Sequence, residues 1–175
     1  MSSREGTPDS DKNVSSVADE KKDEKKDKES VKKEDILDMI TFEQLLEMDD
    51  EDNHEFSLSL VENYYEQATT TFKQMDEAQE KKDLSELSRL GHFLKGSSAA
   101  IGLKEVKNTC EKIQNAGNLL REDKKNENEE EKEKEKEEAL KLISKFLEEV
   151  KSQYEAAVKV LNDIYSPGTT VPNVQ

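Results

Sequence analysis

Apolar residues in this chain recur at intervals of three and four along four separate stretches. That spacing matches the 3.6-residue period of a helix with one buried face. Leu140, Ile143, Leu147, Val150, Tyr154, Ala157, Leu161 and Ile164 form the longest stripe, and Leu103, Val106, Cys110, Ile113, Gly117 and Leu120 form another. Phe56, Leu60, Tyr64, Ala68, Phe72 and Met75 share a face between Asn53 and about Lys81. Leu84, Leu87, Leu90, Leu94, Ser98 and Ile101 share one on the stretch that ends at Gly102. No segment alternates apolar and polar residues between hairpin turns, so no strand is predicted. The fold class is therefore all-α: four long amphipathic helices that bury a common seam, with a short extra N-terminal helix. Local signals agree. "TFEQLLEM" opens with a capping box of Thr41 and Gln44, "DLSE" (Asp83 to Glu86) is another, and Gly102 is a natural helix stop.

The stripes do not extend over the whole chain. Of its 175 residues 39% are charged and only 31% hydrophobic, too polar a mixture to pack throughout. Residues 1–34 read as a disordered charged tail, 35–165 as the bundle and 166–175 as a C-terminal tail. The Glu/Lys run 122–138 reads as an acidic loop whose C-terminal end winds into the last helix. With 27 basic and 42 acidic residues the net charge is −15, which disfavours nucleic acid and anionic lipid as partners. No run approaches the ~20 apolar residues that span a bilayer, no apolar secretory core opens the chain, and a single cysteine cannot form an internal disulfide. A soluble intracellular protein is expected.

"LGHFLKGSSAAIG" (Leu90 to Gly102) holds one of two histidines. At ~100° per residue, His92 falls roughly 155° from the centre of the leucine stripe of its helix, facing away from the bundle seam. Its own face carries Ser85, Ser88, Lys95, Gly96 and Ala99, all small except the lysine. Glycine inside a helix costs ~1 kcal/mol relative to alanine, so Gly96 points to a steric need: something must approach the imidazole closely. Lys95 lies one turn on, where its ammonium can reach a group attached to the ring. An imidazole offers a ring nitrogen as nucleophile near neutral pH. Together these features suit a phosphoryl group carried on His92. Gln114, on the flank of the next helix, could hydrogen-bond the ring or the phosphate if the two helices pack antiparallel.

"HFLKGSSAAIGL" (His92 to Leu103), "CEKIQNAG" (Cys110 to Gly117), "MDDEDN" (Met48 to Asn53) and "EQATTTFKQM" (Glu66 to Met75) resemble the histidine-containing phosphotransfer (HPt) family, and within it the fungal phosphorelay intermediates. The resemblance covers about Thr41 to Tyr165. It implies an up-down four-helix bundle in which His92 accepts a phosphoryl group from the receiver-domain aspartate of a hybrid sensor histidine kinase. The group would then pass to the receiver aspartate of response regulators, in osmotic and oxidative stress signalling in cytoplasm and nucleus. By position, Lys95 would neutralise the phosphate, Gly96 give clearance, Gln114 bond the ring or phosphate and Ser97 add a polar contact. The chain would need no cofactor of its own, because the partner receiver supplies Mg²⁺, and would have no autonomous kinase or phosphatase activity. Where the family commonly carries a basic residue one turn after the glutamine, this chain has Asn118.

A docking face beside the histidine should be partly apolar. Leu45, Met48, Leu60, Phe93, Ile101 and Leu103 are its candidates, with Asp49, Asn63 and Gln67 as polar rim; core packing competes for each. Leu45 and Met48 lead, because so short a helix cannot bury all its apolar residues. His54 among acids reads as solvated, Cys110 as buried and apolar, Tyr64 and Tyr65 as core and edge. Two rivals remain. A non-catalytic helical adaptor explains the stripes but not Gly96, and a His92-based hydrolase would want an orienting carboxylate that this face lacks. Nothing demands a dimer.

Overall fold

A computed structural model describes residues 34–119 and 128–165, all within one compact unit, Lys33–Gln175. Five helices follow in order: α1 (Met39–Leu46), α2 (Glu55–Glu80), α3 (Leu84–Ala100), α4 (Lys104–Asn118) and α5 (Glu129–Tyr165). Turns of three residues join α2 to α3 and α3 to α4. Turns this short force antiparallel neighbours. The pairings Tyr64–Ser98, Thr109–Gln153 and Gln79–Leu140 show the same up-down course around the bundle. Among the described residues no strand forms, and Leu37 and Leu103 make an isolated antiparallel bridge.

The stripes of α3, α4 and α5 bury as the spacing predicts. Leu87, Leu90, Leu94, Val106, Cys110, Ile113, Ile143, Val150, Ala157 and Leu161 are all at most 1% exposed. The α2 stripe is offset from its expected position. Phe56 is half exposed, while Ser57, Val61 and Tyr65 point inward with Tyr64, Ala68, Phe72 and Met75. The cause lies at the entry to α2. The Asp49 carboxylate accepts hydrogen bonds from the Ser57 amide (2.7 Å) and hydroxyl and meets His54 Nδ1 at 3.0 Å. This anchor turns Ser57 to the inside, and the rest of the helix follows. Tyr65 thereby joins Tyr64, Phe72 and Tyr154 in a ring cluster with centroids 5.3–6.5 Å apart, a core residue rather than an edge one.

Helix starts show one further difference. Asp83 caps α3 by accepting from the Glu86 amide at 3.1 Å, as the capping box requires. The cap of α1, however, is Asp38, whose carboxylate takes the Thr41 amide and hydroxyl, so Thr41 lies inside the helix. Those bonds hold the Asp38 carboxyl below its ordinary range. The acidic run 122–138 is helical from Glu129 onward, where α5 begins. Residues 122–127, like Leu120 and the tails expected at 1–34 and 166–175, lie outside the described residues, except Glu34, which is described and opens a short helical turn.

The α3–α4 turn positions α1. Gly102 has φ +80°, and a β-carbon there would stand 2.9 Å from the Asp38 carbonyl. The glycine lets the chain before α1 approach closely enough for the Asp38 amide to donate to the Gly102 carbonyl at 2.7 Å. α1 therefore covers the end of the bundle nearest the histidine's helix.

Candidate functional site

α3 carries its chemistry on one side and its packing on the other. His92 is exposed, as is Gly96, and among the described residues a β-carbon built on Gly96 would meet nothing beyond its own helix backbone within 4 Å. Among the described residues no contact explains that glycine, which leaves its surface open to an approaching group. Five residues earlier the opposite holds. A β-carbon on Gly91 would lie 2.9 Å from the Cys110 carbonyl and 3.0 Å from the Gln114 amide nitrogen. On α4, a β-carbon on Gly117 would lie 2.7 Å from the Leu84 carbonyl. Two glycines thus draw the backbones of α3 and α4 together, antiparallel, on either side of the Ser88 turn. Gly91 escaped the sequence reading, although it sits close to the inward stripe and directly before the histidine.

This approach brings Gln114, half-buried, to the level of Gly91, one residue from His92. It also exposes an arrangement that sequence reading missed. The Lys95 ammonium lies 3.1 Å from a carboxylate oxygen of Glu111, one turn before Gln114 on the same flank of α4. The face therefore does hold an acid, supplied by the neighbouring helix. Ser88, expected on the histidine's face, is buried and donates its hydroxyl to Asn118 Oδ1 at 2.7 Å. Asn118, where a cation was expected from the resemblance, is taken up by that bond. Arg89 is exposed three residues before His92 and binds Glu86 through two of its nitrogens. Ser97 is partly exposed and donates to the Phe93 carbonyl at a long 3.4 Å.

The docking candidates divide. Met48 (67%) and Phe93 (47%) are exposed, Asn63 and Gln67 are exposed, and Leu60 is half-buried against the core. Leu45, Ile101 and Leu103 are not surface residues: they are buried to 7%, 4% and 1% exposure. The start of α1 lies against the α3–α4 turn, with Leu37 bridged to Leu103 and Asp38 bonded to Gly102, while Leu45 lies one turn from the buried Phe42 on the inward side of α1. The apolar α1 residues that do stand outward are Ile40, at 72%, and Met39. Asp49 is no free rim group either. Burial alone would raise its carboxyl, but the two Ser57 hydrogen bonds and His54 bring it below the ordinary range.

Cys110 is fully buried, and loss of water pushes its thiol up to about 12, too high for a reactive thiolate. Among the described residues no group of three or more His, Cys, Asp or Glu is placed to hold a metal ion. No helix among them is long and apolar enough to cross a membrane.

An exposed histidine, a cleared turn and a lysine one turn on stand on an antiparallel helical bundle, and residues 59–157 match the Hpt domain family. The chain belongs to that family. It is 45% identical over 142 residues, 81% of its length, to "Multistep phosphorelay regulator 1" of Schizosaccharomyces pombe. The crystal structure of yeast YPD1p superposes with a TM-score of 0.64 at 32% identity, over 78% of this chain and 96% of that one. A co-crystal structure of the Saccharomyces cerevisiae histidine phosphotransfer signaling protein Ypd1 with the receiver domain of its downstream response regulator Ssk1 matches with a TM-score of 0.62 at 33% identity, over 77% of this chain and 97% of that one. The chain spans 46% to 63% of the length of the curated relatives it matches.

Proposed function

We propose that this protein is a phosphorelay intermediate that carries a phosphoryl group on His92. The single observation that supports this most is Gly96: a helix-interior glycine with open space around it, one turn from an exposed imidazole, in an Hpt bundle. In the transfer, the lone pair of the unprotonated ring nitrogen attacks phosphorus. The bond from phosphorus to the receiver aspartate's oxygen breaks, and its electrons leave on the carboxylate. The ring becomes an imidazolium, which sheds its extra proton to water. The onward step runs the same exchange in reverse, toward the aspartate of a second receiver. Catalysis here is positioning and charge neutralisation.

Lys95 neutralises the phosphoryl oxygens, Gly96 leaves room for the receiver's loops, Gln114 bonds the ring or phosphate, and Ser97 gives a further polar contact. Mg²⁺ and its acidic pocket come from the receiver. The chain has no kinase or phosphatase activity of its own. Its partners are the receiver of a hybrid sensor histidine kinase and the receivers of response regulators, as the Ssk1 receiver is for Ypd1. Its setting is osmotic and oxidative stress signalling in cytoplasm and nucleus, and it acts as a monomer. The docking face combines Met48, Phe93 and the outward Ile40 with Leu60, rimmed by Asn63 and Gln67; the Tyr64–Ser98 hydrogen bond (2.8 Å) sets that part of α2 beside α3.

Incubation with a phosphorylated receiver domain tests the proposal. The wild-type chain should gain acid-labile, base-stable label, and His92→Gln should gain none while keeping its helical content. Equal labelling of His92→Gln would put the phosphoryl group on another residue, and no labelling of the wild type would leave the adaptor reading in its place.

A further inference from the structure

Both cations flanking His92 on α3 are already engaged. Arg89, three residues before, is held by Glu86, and Lys95, three residues after, is held by Glu111 at 3.1 Å. Asn118 is uncharged and bound to Ser88. Helical side chains lean toward the N-terminus of their helix, so the ordinary reach of Lys95 is back over the turn that holds His92. Glu111 draws its ammonium sideways instead, toward α4. The Lys95 side chain is 29% exposed and that of Glu111 47%, so the pair is accessible and can be broken from outside.

A phosphoryl group on His92 brings about two negative charges to this face. It must take Lys95 from Glu111, or share the ammonium with a third negative group in place. We propose that Glu111 is a positioning residue that limits the lifetime of phosphorylated His92 by competing for Lys95. This rests on the phosphocarrier reading above and assigns a control element within it. Glu111 touches neither the ring nor the reacting phosphorus; it acts through the lysine. In the unphosphorylated chain it parks the cation. In the phosphorylated chain it weakens the neutralisation of the phosphate. Loss of the group to water then proceeds more readily: water attacks phosphorus, the P–N bond breaks, its electron pair returns to the ring nitrogen, and the released proton goes to the ring or to solvent. The same competition tilts the exchange toward the receiver, which suits an intermediate that must hand its cargo on.

An exposed ion pair contributes little, so the effect is bounded at about three- to fivefold. The test compares wild type, Glu111→Gln, Lys95→Gln and the double variant. Each is phosphorylated by a phosphorylated receiver, separated from it, and followed by loss of phosphohistidine signal in ³¹P NMR. Glu111→Gln should lengthen the half-life about three- to fivefold and move the transfer equilibrium toward phosphohistidine by the same factor. Lys95→Gln should shorten the half-life, and the double variant should match Lys95→Gln alone. A merely structural role for Glu111 would instead shift the melting temperature and leave the half-life in place. The inference is overturned if Glu111→Gln leaves the half-life unchanged or shortens it, or lengthens it equally without Lys95. If wild type itself takes no phosphoryl group, the phosphocarrier reading fails and the inference falls with it.

Discussion

Gly91 and Gly96 stand five residues apart on the same helix and do opposite things. At Gly91 the missing side chain is filled by the backbone of α4, with the Cys110 carbonyl 2.9 Å from where a β-carbon would be. At Gly96, among the described residues, it is filled by nothing beyond its own helix backbone within 4 Å. The first absence serves the fold, because it lets two helices approach more closely than side chains allow. The second weakens the helix with no return among the described residues, which fits a surface kept clear for a partner. The two faces of α3 thus separate what stabilises the bundle from what the bundle presents.

Substitutions at these positions should break that symmetry in sign. Gly91→Ala has the largest expected effect: backbone atoms cannot yield to the added methyl, and overpacking of this kind costs about 1–3 kcal/mol, read as a lower denaturant midpoint. Gly96→Gln should leave that midpoint near wild type yet slow phosphoryl transfer from a receiver by about tenfold, since small misplacements at a transfer site are costly. The smallest effect belongs to Gly96→Ala, which should raise stability by about 0.5–1 kcal/mol through helix propensity alone. If Gly96→Ala destabilised the chain, the open space around this residue would have to be filled by something internal, and the contrast with Gly91 would disappear.

The period of the apolar residues made most of the bundle legible before any coordinates. Leu87, Leu90 and Leu94 had to face one way, so His92 had to face the other. What stayed hidden depended on which helix lies against which flank. Glu111 is three residues from Gln114 and shares its side of α4, but only the packing of α4 on α3 makes it the partner of Lys95. Ile101 and Leu103 read equally well as surface or core until the start of α1 is seen to lie against the turn between them. Leu45 was misjudged for the same reason: a short helix buries more of its apolar side when it is itself a cover. Phe56 and Tyr65 changed places because Asp49 reaches across eight residues to fix Ser57, a contact that no periodicity encodes. The cap of α1 moved from Thr41 to Asp38 for a more local reason: the Asp38 carboxylate accepts from both the amide and the hydroxyl of Thr41, which holds Thr41 inside the first turn.

The outward imidazole of His92 is the point on which the functional account turns. Its direct test is to phosphorylate the full chain with a phosphorylated receiver domain and locate the modified residue by peptide mapping under non-acidic conditions. The account predicts phosphate on His92 and on no other residue, His54 included. Phosphate on His54, on a serine or an aspartate, or an unmodified His92 in a chain that has taken up label, would contradict it.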